Sequence, residues 1–373
     1  MKKLSLVLTG ILMVFFVFTS CQKEKGFDEN SLPAKFKIDI PDAISNSSNQ
    51  KSVMVDEVNG DEIYEHLRFF IAVGEGAADI TQNLIYGIRQ YDLDQAMTFS
   101  FVSDDDGRTK NVTVIENGDY DGKTWQFQLT LTDAEAEMDE DGGYAMQIFW
   151  NNNPVQGIAI LKPYNINRSD SLEAWVHGIF RIDYSEAGEY GYEQSMIVSI
   201  DELPLPADEP YAISSMKMFV GKTGNIVDVY GNSGHRNAIF FNSAEGFDWA
   251  FVAAGNQVSN LGVAEVGLPP YTLDSDNRTV LLKDYSIHTV FTNLITDWYF
   301  AENGVNIDSL TLAAYLENAE APGFFNQDGF IGSGDAPTSD FDELVSSIAE
   351  LSPYNPATIA NLTIEFKETG SAK

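Results

Sequence analysis

The chain has 373 residues, with 22 basic against 56 acidic side chains, a net charge of −34 and a sequence pI near 4.2. That charge argues against nucleic acid and against docking on anionic bilayer surfaces, because like charges repel. A 44% hydrophobic content with 12% aromatics supplies ample material for a core, and the length allows one large domain or two.

Met1-Lys2-Lys3 is a short positive segment, and Leu4 to Phe18 is almost wholly apolar. This run has the length of a signal-peptide core and is short for a membrane span, which needs about 20 apolar residues. Small residues Thr19 and Ser20 then precede Cys21, the single cysteine of the chain. The stretch resembles a bacterial lipoprotein signal sequence of the Bacteroidetes type, with Phe18 standing where an aliphatic residue is usual. The resemblance covers residues 1–21 and implies removal of residues 1–20 and acylation of Cys21. A cysteine in a thioether makes no disulfide, and several acyl chains at about 0.8 kcal/mol per buried CH₂ anchor stably. The expected location is therefore the cell envelope, lipid-anchored to a membrane, with the outer membrane favoured and the body in water. The alternative is an ordinary secretory signal with an incidental cysteine.

Residues 21–34, charged and poor in apolar side chains, read as the acylated cysteine and a tether. "KFKIDI", 35–40, alternates as a first strand would, and "SNSSNQKS" reads as a loop. In 61–92 two helical stripes are visible, Ile63, Leu67, Phe70 and Ile71, then Ile80, Leu84 and Ile88. Gly74 and Gly76 between them predict a break into two helices, with Asp61 capping the first.

From Met97 the period becomes two and stays there for almost 200 residues. Thirteen strands are expected: "MTFSFVS", "TKNVTVIE", "TWQFQLTLT", "AMQIFWN", "QGIAILKPY", "WVHGIFRIDY", "YEQSMIVSI", "SMKMFVG", "NIVDVYGN", "NAIFFNS", "WAFVAAG", "GVAEVGL" and "RTVLLKDY". The breaks between them are short and rich in Asx-Gly turn chemistry, so sequence neighbours should pair antiparallel. Such a meander cannot lie flat, and Ala253, Ala254, Gly262, Ala264 and Gly267 would permit strong curvature. Beyond it, "IDSLTLAAYLENAE" is ambiguous and "APGFFNQDGFIGSGDAP" reads as a loop. "TSDFDELVSSIAELS" reads as a helix capped by Ser339, and "NPATIANLTIEF" as a last strand. The predicted fold is α+β, mainly β: a long antiparallel meander curled into an open barrel or sandwich, with packed N- and C-terminal helices. The helix pair and meander would span 35–300, and a mixed region, 301–373, would pack on it.

Functional signals are sparse. The acidic loops around Asp104–Asp106, Asp119 and Asp121, and Asp139–Asp141 place carboxylates before a glycine, as Ca²⁺ loops do. A frame starting at Glu137 puts Ile148 where the bidentate glutamate belongs, so hairpin turns are the favoured reading, and no metal and no cofactor are expected. On one face of "WVHGIFRIDY", Trp175, His177, Arg181 and Asp183 could line a ligand cleft; the favoured reading, which alternation alone predicts, is that this face meets water while Phe180, Ile182 and Tyr184 face the core. Glu265, beside Leu261 and Val263, is the remaining candidate. Aromatic residues near loops could bind a glycan or a protein. Nucleophile-elbow, zinc, phosphate-loop and dinucleotide motifs are missing, and His66, His177, His235 and His288 lack metal-ligand spacing.

Helices followed by a long meander on a lipoprotein are similar to the open-barrel carriers of lipids and lipoproteins in bacterial envelopes. That likeness is one of fold, and function does not follow from it; the first expectation is a non-enzymatic envelope lipoprotein whose curled sheet binds a lipid, glycan or protein partner. Two alternatives stay open: a hydrolase using carboxylates such as Asp183 or Glu265, and a structural or adhesive surface protein.

Overall fold

The computed structural model describes residues 32–46, 59–89, 96–170, 177–206, 209–243 and 245–367. Cys21 and the tether before residue 32 lie outside them. Thirteen strands form one antiparallel meander in chain order, and the sheet is not closed. The chain makes two compact units. One comprises Met1–Lys37, Gly76–Leu203 and Thr363–Lys373, the other Ile38–Glu75 and Pro204–Leu362.

Helix α1, Gly60–Ile88, contributes its first half to the second unit and its second half to the first. It is continuous, where two helices were expected. Its buried stripe runs Ile63, Leu67, Phe70, Gly74, Ala78, Thr81, Ile85, an unbroken spacing of three and four. The glycine belongs to the stripe. A Cβ on Gly74 would stand 2.6 Å from Met218 Cε, so the small residue permits close approach to the sheet and breaks nothing. Asn59, not Asp61, caps the start, its Oδ1 accepting from the Glu62 amide at 3.3 Å.

In the first unit, β1 (Met97–Val102), β2 (Thr109–Tyr120), β3 (Lys123–Asp133), β4 (Tyr144–Asn152), β5 (Val155–Leu161), β6 (Ile179–Ser185) and β7 (Gln194–Asp201) follow the expected pattern. A short helix, α2 (Pro163–Ile166), follows β5. One sheet face carries Leu129, Ile148, Ala159, Ile182 and Val198 in register, all fully buried. Phe36 lies on this face, stacked 5.6 Å from Tyr184. Its segment is extended but is no strand. The Phe36 amide donates to Gln82 Oε1 on α1 at 2.6 Å, and Gln82 donates back to Ala34 O at 3.0 Å. Helix side chains thus take the hydrogen bonds a neighbouring strand would have taken. On the opposite face the stretch 363–367 crosses the sheet: Tyr120 donates to Glu365 O and Gln147 to Lys367 O. That stretch was expected to be a strand.

In the second unit β8 (Met216–Thr223), β9 (Ile226–His235), β10 (Phe247–Asn256) and β11 (Leu261–Gly267) are joined by a hairpin, β12 (Gly323–Asn326) and β13 (Gly329–Ser333). Three expectations are corrected here. "NAIFFNS" is a turn and "RTVLLKDY" contains a π-helical turn over Val280–Asp284, while the "loop" at 323–333 supplies β12 and β13. Helices α3 (Ile287–Asn303), α4 (Ser309–Tyr315), α5 (Asp342–Ala349) and α6 (Pro356–Ala360) complete the unit. Pro356 at the first turn and Asn355 as cap make α6 a helix where a strand was expected.

Both faces of this sheet are covered. Trp249, Phe251, Met216 and Met218 face the N-terminal half of α1. Ala250, Val252, Ala254 and Val263 face Phe341, Leu344 and Ile348 of the C-terminal helices. Burial on both sides explains why β10 reads as a continuous apolar run. The small residue Gly262 lets Ile44 sit against the sheet, so here close packing, more than curvature, requires it.

Candidate functional site

Trp175 lies outside the described residues. His177 precedes β6, is exposed, and has its ring 5.0 Å from that of Tyr164. Arg181 and Asp183 share the face of β6 opposite Ile182. The Arg181 guanidinium donates Nε to Asp183 Oδ2 at 2.9 Å and Nη2 to Asp183 Oδ1 at 2.7 Å, and Nη2 also reaches Asp121 Oδ2 at 2.6 Å. Burial alone would lower the arginine's pKa, but these two carboxylates outweigh it and raise the value. Arg181 stands over the Tyr120 ring at 5.7 Å. The cluster is a closed ion pair, with the guanidinium's fork committed to the acids beside it.

The acidic loops are committed in the same way. Asp133, fully buried at the end of β3, receives Arg108 through both oxygens at 2.6 and 3.1 Å and Lys110 at 3.3 Å. Lys110, 1% exposed, also donates to Asp106 Oδ2 and to Asn165 O, each at 3.0 Å. Arg168 binds Asp139 at 2.9 Å, and Lys162 binds Asp141 at 3.1 Å. Burial pushes Asp133 up, but the Arg108 bond, the Glu135 amide and Lys110 together hold it below the ordinary value. Internal cations therefore hold Asp106, Asp121, Asp139 and Asp141, four of the carboxylates that a Ca²⁺ loop would use. Among the described residues no group of three His, Cys, Asp or Glu side chains is placed to hold a metal.

In the second unit Glu265 accepts from Arg278 Nη2 at 2.6 Å. Arg278 also donates to Leu351 O at 2.9 Å and Ile348 O at 3.3 Å, satisfying carbonyls at the end of α5. Glu265 and Asp183 thus sit in different units, each locked to an arginine.

Two groupings were not foreseen. The first is an aromatic nest. His235 is fully buried, its ring 4.0 Å from Phe70 and 4.7 Å from Trp249, and its Nδ1 donates to Tyr211 O at 3.2 Å. That fixes the tautomer, so Nε2 accepts from the Ser233 hydroxyl at 2.8 Å. The geometry is that of a nucleophile and its base. Burial, however, drives the His235 pKa down to about 3, and neither side chain is exposed, so the pair is core structure.

The second grouping lies on the other face of the same strands. Asp248 is 1% exposed and Asn232 fully buried, and none of their four side-chain polar atoms has a hydrogen-bond partner. The register pairs Asp248 with Gly234 and Ala250 with Asn232, so the two are diagonal neighbours. Above Gly234 three oxygens converge: a Cβ built there would meet Ser214 Oγ at 2.8 Å, Asp248 Oδ1 at 3.4 Å and Ser215 Oγ at 3.4 Å. Burial holds the Asp248 carboxyl well above the usual range, with the Arg236 charge opposing only in part. A signal for this site was legible in "FDWAFVAA": alternation places Asp248 in line with Ala250, Val252 and Ala254, a lone acid on an apolar stripe.

No protein-family model matches the chain, and neither the curated proteins nor the solved structures gave a match. Among the described residues no helix is long and apolar enough to cross a membrane.

Proposed function

We propose that the chain is a non-enzymatic lipoprotein of the cell envelope, tethered through acylated Cys21, whose body binds a partner at its surface. The observation that carries the surface reading is the filling of the inner sheet face by the chain itself. In the second unit Ile63, Tyr64, Leu67, Phe70 and Ile71 of α1 are each no more than 1% exposed. An apolar ligand held between helix and sheet would have to displace them, at roughly 1.5–3 kcal/mol per large side chain. This weighs against the lipid-carrier analogy. The carboxylate hydrolase is weaker still, since Asp183 and its neighbour Asp121 are both spent on Arg181 and Glu265 is held by Arg278.

The anchor is tested by labelling cells with a fatty-acid probe. Wild type should label and partition with membranes, and Cys21→Ala should do neither; unchanged labelling would remove the lipoprotein reading. The surface reading is tested by mass spectrometry of solvent extracts from the purified native protein. A stoichiometric lipid would overturn it.

A further inference from the structure

The polar cluster above Gly234 is independent of that reading. A buried carboxylate and a buried amide with no partner are each costly, by about 1–3 kcal/mol for a neutral group and more for a charged one. Native interiors hold few such groups, and an ordered water or ion is a usual explanation. The hydroxyl hydrogens nearby are already used. Ser214 donates to Gly234 O at 3.2 Å and Ser215 to Ile359 O at 3.1 Å. Their lone pairs remain, so three acceptors converge above Gly234, namely Asp248, Ser214 and Ser215; Asn232, diagonal to Asp248 in the register, adds an unpartnered amide with one acceptor and one donor group. Three facing acceptors call for a positive species between them, a proton on Asp248 at low pH or a bound cation above it, and the Asn232 amide can present its oxygen to the same species.

Among the described residues no protein cation meets that need. Arg236 donates to Ala360 O at 3.1 Å and stands over the Tyr271 ring, and it makes no ion pair with Asp248. Lys217, opposite Asn232 in the register, has its Nζ over the Tyr354 ring at 4.8 Å. Glu265 on the same sheet face is spent on Arg278.

We propose that Asp248, Ser214, Ser215 and Asn232 form a buried site for one alkali-metal cation in the second unit. The single carboxylate matches a single positive charge, and the remaining ligands are neutral oxygens. A Ca²⁺ ion would seek further carboxylates among its six to eight oxygens. Ser214 is the one member that keeps partial exposure, which gives the ion an approach from solvent.

The test is thermal unfolding of the full chain at constant ionic strength, with tetramethylammonium chloride replaced stepwise by NaCl, KCl or, separately, CaCl₂. NaCl or KCl should raise Tm by about 2 °C per tenfold increase beyond half-saturation, as expected for a ligand that binds only the folded state of a chain this long. Gly234→Ala, which puts a methyl where the oxygens converge while removing none of them, should abolish the rise, as should Asp248→Asn. Equal Tm in all chlorides, as ordered water alone would give, overturns the proposal; so does a response to Ca²⁺ only, or one that survives Gly234→Ala. Equilibrium dialysis of the wild type against ²²Na⁺ and ⁸⁶Rb⁺ decides the matter should the variants fail to fold. One ion per chain supports the site, and none for either ion refutes it.

Discussion

Asp133 in the first unit and Asp248 in the second are both buried carboxylates at strand ends, and the fold treats them in opposite ways. Asp133 is met by three cations, Arg108, Lys110 and Arg168, and by a backbone amide, and its pKa is depressed. Asp248 meets none, and its pKa is raised. Burial raises the energy of a carboxylate in both places. What differs is whether the neighbouring strand and loop deliver compensating charge. An acid answered from within the chain is part of the scaffold. An acid left unanswered in the interior is the better place to look for a bound species, and neither acidity nor burial alone makes that distinction.

The sharpest way to break the comparison is to remove Asp133. Asp133→Ala removes the acid that Arg108, Lys110 and Arg168 share and leaves them only Glu135, Asp106 and Asp139, which should cost about 3–5 kcal/mol. Urea unfolding should show this as a large fall in midpoint, or as failure to fold; a loss under about 1 kcal/mol would mean the network is not buried as described.

The pH dependence of stability separates the two acids by sign. The ordinary carboxyl value is 3.8. Asp133 has a folded pKa below this, so its contribution is present above 3.8 and lost as pH falls through the folded value. Asp248 has a folded pKa above it, so its contribution is whole below 3.8 and lost as pH rises through the folded value. In tetramethylammonium buffer, Asp248→Asn should therefore flatten the decline in stability on the alkaline side. Above the folded pKa the gain is about 1.4 kcal/mol for every tenfold by which folding weakens the acid. Chemical denaturation from pH 4 to 9 measures it, and parallel curves for wild type and variant would show that Asp248 is not the group responsible.

Most of the meander was legible because period two survives wherever one face is covered, as along β2 and β6. It faded where both faces are covered. There the pattern lost its contrast, and the short hairpin at Gly323–Ser333 passed for a loop. The helix α1 was misread for a related reason: Gly74, Ala77 and Ala78 continue its stripe by being small, and smallness looks like a break when only hydrophobic side chains are counted. Among the candidate residues, Arg181, Asp183 and Glu265 were conspicuous because they are charged. Their partners were not, since Asp121 and Arg278 are distant by 60 and 13 positions. Asp248 was overlooked although its strand announced it, because what matters about it is the lack of a partner, which no sequence displays.

The smallest expected effect tests the surface end of the same rule. Asp121 is 55% exposed and shares Arg181 with Asp183, which already holds the guanidinium through both its oxygens. Water screens such a contact, and a second acid on a satisfied arginine adds little. Asp121→Asn should change stability by less than about 0.5 kcal/mol. Asp183→Asn should cost more, up to about 1 kcal/mol, because it removes the bidentate partner and leaves Arg181 half-buried beside the Tyr120 ring. Urea midpoints of the two variants, measured side by side, check the order. If Asp121→Asn proved the more damaging, Asp121 rather than Asp183 would be the acid that answers Arg181, and the ranking of acids by burial would fail at the surface.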